Sequence, residues 1–228
     1  MRLKLSDERG MTLVELLVTM VIGMIVMSAA TTLITSSERA SKRVQTRVDA
    51  TQRGRTAMDQ ITQRLRSMTC LPNATAPVVT ATADSVTFYG DLDGDLNYDP
   101  EQWRLYGIRD GAGNLTGISE ESGPVGGTPT RRRAVVTNIK DLTKSGVRTP
   151  LFRYYAYPSA SSIDTVEIGA GTGVAAIDLR RVARMDIAFK AATTDTNRYT
   201  AIDSDMETSV YARTVRRDAA VPTFDCTG

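Results

Sequence analysis

An uninterrupted apolar run near the start of the chain limits its fold more than any other feature. From Met11 to Ile34 the sequence reads MTLVELLVTMVIGMIVMSAATTLI, in which Glu15 is the only charged residue. A helix of this length crosses the roughly 30 Å of hydrocarbon in a bilayer. The sequence therefore predicts that residues 11–34 meet a membrane and that the globular part of the protein follows them.

The composition of the whole chain excludes several classes of function. The formal net charge of +2 is too small to indicate a nucleic-acid partner, and no nucleic-acid-binding motif accompanies it. Histidine is absent, which removes Ser-His-Asp and Cys-His catalysis and the commonest zinc ligand. No arrangement of lysines or carboxylates suggests other chemistry, so the sequence predicts no enzyme and no required cofactor.

The residues before the apolar run do not form an ordinary secretory signal. Residues 1–10, MRLKLSDERG, are polar, and the apolar run after them is longer than the 7–15 residues of a signal peptide. Ser28-Ala29-Ala30 imitates a cleavage site, but Glu15 lies near the start of the run. A charge inside a membrane segment is costly and usually marks a function or a partner.

The segment Arg9-Gly10-Met11-Thr12-Leu13-Val14-Glu15-Leu16-Leu17 resembles the class III signal of type IV prepilins. This resemblance implies that a prepilin peptidase cuts between Gly10 and Met11 and methylates the new amino terminus at Met11. Glu15 then becomes the fifth residue of the mature chain, which is the position of the glutamate in that family. Two features depart from the family pattern: Met11 replaces the usual phenylalanine, and the helix-breaking proline farther along is absent near Thr31.

The resemblance also has a physical basis. Cleavage would create an α-amine in a region of low dielectric constant, where the Glu15 carboxylate of a neighbouring subunit can pair with it. An unpaired buried charge is costly, so this pairing would set the axial register between subunits. The implied partners are other pilin or pseudopilin subunits, the prepilin peptidase, an inner-membrane assembly platform and the lipid bilayer.

The sequence from residue 35 to Cys70 predicts an amphipathic continuation of the same helix. Its apolar or small residues recur in steps of three and four, interrupted near Gly54, where we expect a bend. The predicted stripe consists of Ala40, Val44, Val48, Thr51, Met58, Ile61, Leu65 and Met68. A continuous helix from Thr12 to Met68 would be roughly 85 Å long, and Leu71-Pro72-Asn73 would end it.

Residues 71–228 predict a β-rich head, which makes the fold class α+β. Short β-forming runs alternate with turn residues, of which Asp110-Gly111-Ala112-Gly113 is the strongest hairpin signal. The predicted strands are Val78–Thr82, Val86–Tyr89, Trp103–Arg109, Asn114–Glu120, Ala134–Ile139, Leu151–Tyr157, Val182–Lys190 and Glu207–Val215. Alternation in Arg184–Phe189 predicts a half-buried strand, and we expect one antiparallel sheet on the helical stripe.

The two cysteines, Cys70 and Cys226, leave two interpretations open. An even number of cysteines beyond a membrane segment suits a disulfide in an oxidising compartment, whereas two unrelated buried thiols are the alternative. A disulfide would fasten the C-terminal tail where the helix meets the head, a task resembling that of the C-terminal disulfide in many pilins.

An acidic run suggests a cation site. Calcium takes six to eight oxygen ligands, and alternating aspartates can supply them from a single loop. The candidate ligands are Asp91, Asp93, Asp95 and Asp99. The EF-hand pattern fails because Gly94 comes two positions too early and Gln102 replaces its glutamate, so a polar turn is the alternative. Asp91 and Asp93 as a catalytic carboxylate pair would make the protein a tethered hydrolase.

The order of the head elements resembles that of J-type minor pseudopilins of type II secretion and PilW-type minor pilins. The segments Val86–Asp95, Trp103–Tyr106 and Ser209–Arg213 carry this likeness. It implies a structural filament subunit that begins in the bacterial inner membrane with its head outside the cytoplasm. The alternative is a membrane-anchored adhesin or calcium-dependent binding module, which would keep its leader and would not depend on Glu15.

Overall fold

The computed structural model of the 228-residue chain describes residues 11–71, 76–92, 100–193, 203–212, 215–216, 222–224 and 226. The chain divides into two compact units, the first ending at Gln45 and the second beginning at Thr46. A single α-helix, α1, runs from Leu13 to Arg66 and contributes to both units. A β-rich head follows it, so the predicted α+β fold class is confirmed.

The head contains fourteen strands in the part of the chain that the structure describes, and all of their pairings there are antiparallel. A short 3-10 helix at Ala176–Arg181 precedes the strand Arg184–Ala191. The strands are β1 Val78–Ala81, β2 Ser85–Gly90, β3 Glu101–Arg109, β4 Leu115–Gly123, β5 Arg131–Thr137, β6 Ile139–Lys140, β7 Thr143–Lys144, β8 Val147–Arg148, β9 Phe152–Ala156, β10 Val166–Ile168, β11 Arg184–Ala191, β12 Ser204–Tyr211, β13 Val215–Arg216 and β14 Thr223–Phe224.

The head has two main sheets, so the expectation of one sheet was wrong. The first sheet has the order β1-β2-β3-β4-β5, and the second has the order β10-β9-β11-β12 with β6 beside β11. The change occurs at Asn138, whose φ of 56° lies in the left-handed region that asparagine tolerates. Asn138 therefore divides the predicted strand 134–139, and Ile139 pairs with Ala191 of β11.

The turn between β1 and β2 joins the two sheets. The N–H of Phe152 in β9 donates to the carbonyl of Ala83 at 3.0 Å. The hydroxyl of Tyr154, whose side chain is buried, donates to the carbonyls of Thr82 at 2.9 Å and Ser85 at 3.1 Å. These bonds hold β9 of the second sheet against the β1–β2 turn of the first.

The buried face of α1 differs from the predicted stripe. The helix buries Ala50, Gly54, Ala57, Met58, Ile61 and Leu65, so only the last three predicted positions before Met68 lie in this face. Val44 and Val48 are exposed instead. The helix continues through Gly54, where an added Cβ would lie 2.9 Å from Met206 and 3.0 Å from Ala191. Small residues define the face because α1 approaches the second sheet closely.

The end of α1 also differs from the prediction, since the helix ends at Arg66 and not at Cys70. The N–H of Thr69 donates to the carbonyl of Tyr89 at 2.9 Å, and Met68 forms a bridge with Gly90. Pairing with β2 thus competes with the last helical turn. The chain leaves the helix along the edge of β2, which places Cys70 beside the first sheet.

Strand β11 is confirmed, but its half-buried character was wrong. Met185, Ile187 and Phe189 are buried on one face, and Asp186 and Ala188 are buried on the other. Arg153 of β9 lies 3.8 Å from Asp186 and pairs with Glu207 of β12 at 2.8 Å, so charged side chains of the two neighbouring strands cover Asp186. The alternation in the sequence therefore predicted correctly that one face of β11 is apolar. It predicted wrongly that the other face is exposed.

Candidate assembly segment and the head that carries it

The N-terminal end of α1 is capped by Thr12. Its hydroxyl accepts a hydrogen bond from the N–H of Glu15 at 3.3 Å, and its carbonyl accepts one from Leu16 at 3.1 Å. Glu15 therefore occupies the third helical position, where the spacing Thr-x-x-Glu is that of a capping box. Its exposed carboxylate also lies at the positive end of the helix dipole. A local stabilising role and a role between subunits are both open to it.

The segment from Leu13 to Ile34, here called the assembly segment, exposes every side chain. The large apolar side chains in it are between 48% and 80% exposed, the extremes being Leu16 and Leu13. The 22 residues between Glu15 and Glu38 carry no charge. Within the described residues, α1 is the one helix long and apolar enough to cross a membrane. So much apolar surface requires a bilayer or neighbouring subunits to cover it.

The polar side chains of the assembly segment do not prevent its burial in hydrocarbon. Each donates its hydroxyl to a carbonyl three or four residues earlier, at 2.7–3.0 Å. The donors are Thr19, Ser28, Thr31 and Thr32. A hydroxyl that is satisfied within its own helix does not demand water. Sequence reasoning missed these bonds, although serine and threonine in an apolar helix are a recognisable signal for them.

Basic residues follow the assembly segment directly. Arg39, Lys42, Arg43 and Arg47 are all exposed on α1. Long cationic side chains of this kind extend from a membrane edge towards water, so these four lie where a membrane-spanning helix would emerge. All four basic residues precede Ala50, the first residue of α1 that is buried.

The C-terminal tail is fastened to the end of α1, as the sequence suggested. Cys70 and Cys226 form a disulfide across a sequence separation of 156 residues. Phe224 on β14 is buried in the core of the head, and Cys226 packs against that core. The interpretation as two unrelated thiols is therefore wrong. The disulfide closes nearly the whole head into one covalent loop, which reduces the entropy of the unfolded chain.

A buried carboxylate connects α1 to the first sheet. Glu120 of β4 is 5% exposed and lies 3.4 Å from Arg64 of α1 and 2.9 Å from Arg133 of β5. The Arg64 guanidinium also stacks over the ring of Trp103, 4.8 Å from its centroid. The two arginines balance the charge of Glu120. The contact between Arg64 and Glu120 therefore fixes the position of α1 on the first sheet without leaving an unpaired carboxylate.

A second charged network surrounds the β1–β2 turn. Arg109 donates through Nε to Asp84 at 2.9 Å and through Nη1 to Asp141 at 3.1 Å, and Arg148 lies 2.9 Å from Asp141. The hydrogen bond from Arg109 lowers the pKa of Asp84 below its ordinary value of 3.8, and this bond also raises the pKa of Arg109. The network holds the turn that joins the two sheets.

The acidic run lies mostly outside the described residues. Asp91 is described, whereas Asp93, Asp95 and Asp99 are not. The part of the chain that the structure describes contains no group of three or more acidic, histidine or cysteine side chains placed to hold a metal ion. The calcium site and the hydrolase pair therefore stay predictions.

The sequence around the amino terminus of α1 matches a known motif. Residues 5–31 match the family model of the prokaryotic N-terminal methylation motif. The match supports a type IV pilin-like protein. It covers Gly10, Met11 and Glu15 together with most of the assembly segment, and it points to a structural subunit and not to an enzyme. Among curated proteins and solved structures, none matches the chain.

Proposed function

We propose that the protein is a minor pilin or pseudopilin subunit of a type IV pilus, a type II secretion pseudopilus or a DNA-uptake pseudopilus. The observation that carries this proposal is the exposed assembly segment, which has one carboxylate in its first helical turn and most of which lies within the methylation motif. A filament and a bilayer are the two environments that cover such a helix, and pilin-like subunits use both in turn.

In this proposal the prepilin peptidase cuts between Gly10 and Met11 and methylates the amine of Met11. The subunit waits in the inner membrane with its head outside the cytoplasm, and an assembly platform then transfers it into the filament. Glu15 pairs with the Met11 amine of a neighbouring subunit. Because α1 rises 1.5 Å per residue, a shift of one turn would separate the two charges by about 5 Å, so the pairing selects one register.

The experiment that tests this proposal starts with the intact mass and N-terminal sequence of the protein from its native membrane. We expect a chain that begins at N-methylated Met11. A chain that still begins at Met1 would refute the processing step and leave a plain membrane anchor.

The role of Glu15 is then tested with Glu15→Gln and Glu15→Ala. The N–H of residue 15 that donates to Thr12 is kept in both variants. Glutamine keeps a polar side chain at the third helical position but removes the charge, whereas alanine removes the charge and the polar side chain. We expect both variants to be processed but absent from sheared filaments, and Glu38→Gln, the matched control at the next acidic residue of α1, to assemble normally. If Glu15→Gln assembled and only Glu15→Ala failed, Glu15 would be a helix cap and the register role would be wrong.

A further inference from the structure

A groove runs between α1 and the free edge of β5. One cavity of about 590 Å³ is lined by Asp49, Arg53 and Ala57 of α1 and by residues 135–137 of β5. A second, of about 280 Å³, is lined by Arg64 of α1 and by Arg131–Arg133 of β5. Residue numbers rise along α1 as they fall along β5, so the two elements run antiparallel and the cavities lie along one line.

The groove has the length of an extended segment. From Asp49 to Arg64 the helix rises about 23 Å, and the seven residues of β5 also span about 23 Å. Within the described residues β5 pairs with β4 alone, so its other edge carries no strand. An edge of this kind presents main-chain donors and acceptors that a further strand can use.

The second cavity is lined by two buried donors. Trp103 is 6% exposed and Ser122 is 1% exposed, and among the described residues neither the indole Nε1 nor the hydroxyl has a hydrogen-bond partner. Trp103, Ser122 and Arg131 are paired in register across β3, β4 and β5, so they share the face that looks towards α1. An indole N–H donates and cannot accept, which suits an acceptor such as a carboxylate.

The charge of the groove identifies the chemistry of its occupant. Arg131 and Arg133 have side chains that are 65% and 57% exposed, and Arg132 between them is also exposed. Glu120 is already held by Arg64 and Arg133, and Arg131 lies 4.0 Å from Glu101. A second copy of β5 would bring three more arginines to the same edge, which disfavours pairing between two copies. The exposed cations of this edge favour an acidic segment.

We propose that this groove binds an extended acidic segment of a partner subunit, which adds a strand to β5 and places carboxylates against Arg131 and the indole N–H of Trp103. The identity of the partner as a filament subunit rests on the proposed function. The binding itself does not, because it needs only the groove in the head.

The test uses the full chain in non-ionic detergent and a seven-residue peptide that alternates aspartate with valine. Trp103 is the single tryptophan of the protein, so its fluorescence reports on the cavity directly. We expect saturable binding that weakens at least fivefold between 50 and 300 mM salt. The matching lysine–valine peptide should not bind. Amide hydrogen exchange should show new protection in residues 131–137.

Arg131→Gln removes one exposed cation and is expected to weaken peptide binding about tenfold. Arg180→Gln, at an exposed position on the 3-10 helix, makes the same change away from the groove and should change binding less than twofold. Equal binding by the lysine peptide, an unaffected Arg131→Gln variant, or protection outside β5 would each overturn the inference. A processed subunit that depends on Glu15 but binds no acidic peptide would overturn it and leave the proposed function standing.

Discussion

Gly54 offers a direct test of how α1 packs on the head. In an exposed helix, replacing glycine by alanine stabilises the helix by about 1 kcal/mol. At Gly54 the new methyl group would lie 2.9 Å from Cγ and Cε of Met206 and 3.0 Å from Cβ of Ala191, which is closer than carbon atoms normally approach. Such overpacking costs about 1–3 kcal/mol. We therefore expect Gly54→Ala to destabilise the head by roughly 1 kcal/mol, against the helix propensity.

A double-mutant cycle with Met206 tests whether the expected loss of stability in Gly54→Ala comes from crowding by the Met206 side chain. Met206→Ala removes the two nearest of the three crowding atoms and leaves Cβ of Ala191. By itself it should cost about 2–4 kcal/mol, because Met206 is 8% exposed. In that background the new methyl group at Gly54 fills vacated space. Gly54→Ala should then be neutral or stabilising by up to about 1 kcal/mol, which gives a coupling energy of about 1–2 kcal/mol.

Urea denaturation of the full chain in non-ionic detergent measures these changes. Trp103, the single tryptophan, is buried in the head. Its fluorescence therefore follows the unfolding of the head without a contribution from the assembly segment. The dependence on urea should keep the same slope in all four proteins. Effects that add within about 0.5 kcal/mol, or a stabilising Gly54→Ala in the natural background, would refute the close approach of α1 to the second sheet.

Two further predictions concern the junction of the sheets. Tyr154→Phe should cost about 1–2 kcal/mol in the same assay, since it leaves a main-chain carbonyl of the β1–β2 turn unsatisfied, whereas the exposed Tyr211→Phe should change stability by less than about 0.5 kcal/mol. Arg109 donates to Asp84 and lowers the pKa of its carboxyl group. The contribution of Asp84 to stability is therefore fully present above the ordinary pKa of 3.8 and is lost as the pH falls through the lower pKa of the folded protein. Asp84→Asn should therefore reduce the loss of stability on acidification below about pH 4, measured as the urea midpoint against pH, and an unchanged pH profile would contradict this assignment.

The sequence predicted the parts of the protein that depend on local chemistry. The assembly segment, the hairpin turn at Asp110 and most of the strands follow from apolar runs and turn residues that are adjacent in the chain. The turn at Asp110 is an example, because its Oδ1 accepts from the N–H groups of Ala112 and Asn114, two and four residues later. Hydrogen bonds between residues this close in the chain can be predicted from the sequence alone.

The errors arose where distant parts of the chain compete. The helix was expected to reach Cys70, but β2 offers the main chain of Thr69 a hydrogen bond from twenty residues away. The turn to a second sheet depends on Asn138 in the left-handed region, and an asparagine in the sequence does not by itself show that its chain passes from one sheet to another. Trp103 and Ser122 have no hydrogen-bond partner in the part of the chain that the structure describes, and no sequence signal predicts this, because only the fold shows which buried polar groups are satisfied.

The burial of α1 also distinguishes between the functions that the sequence left open. Val44 and Val48 lie four residues apart on one side of the helix and are 63% and 54% exposed. Val44 follows the first three of the four basic residues named above, and Val48 follows all four. The head covers α1 only from Ala50 onward. A plain anchor gives no reason for apolar side chains beyond the bilayer that the head does not cover. Neighbouring subunits in a filament would cover them, which favours the assembly proposal over a tethered binding module.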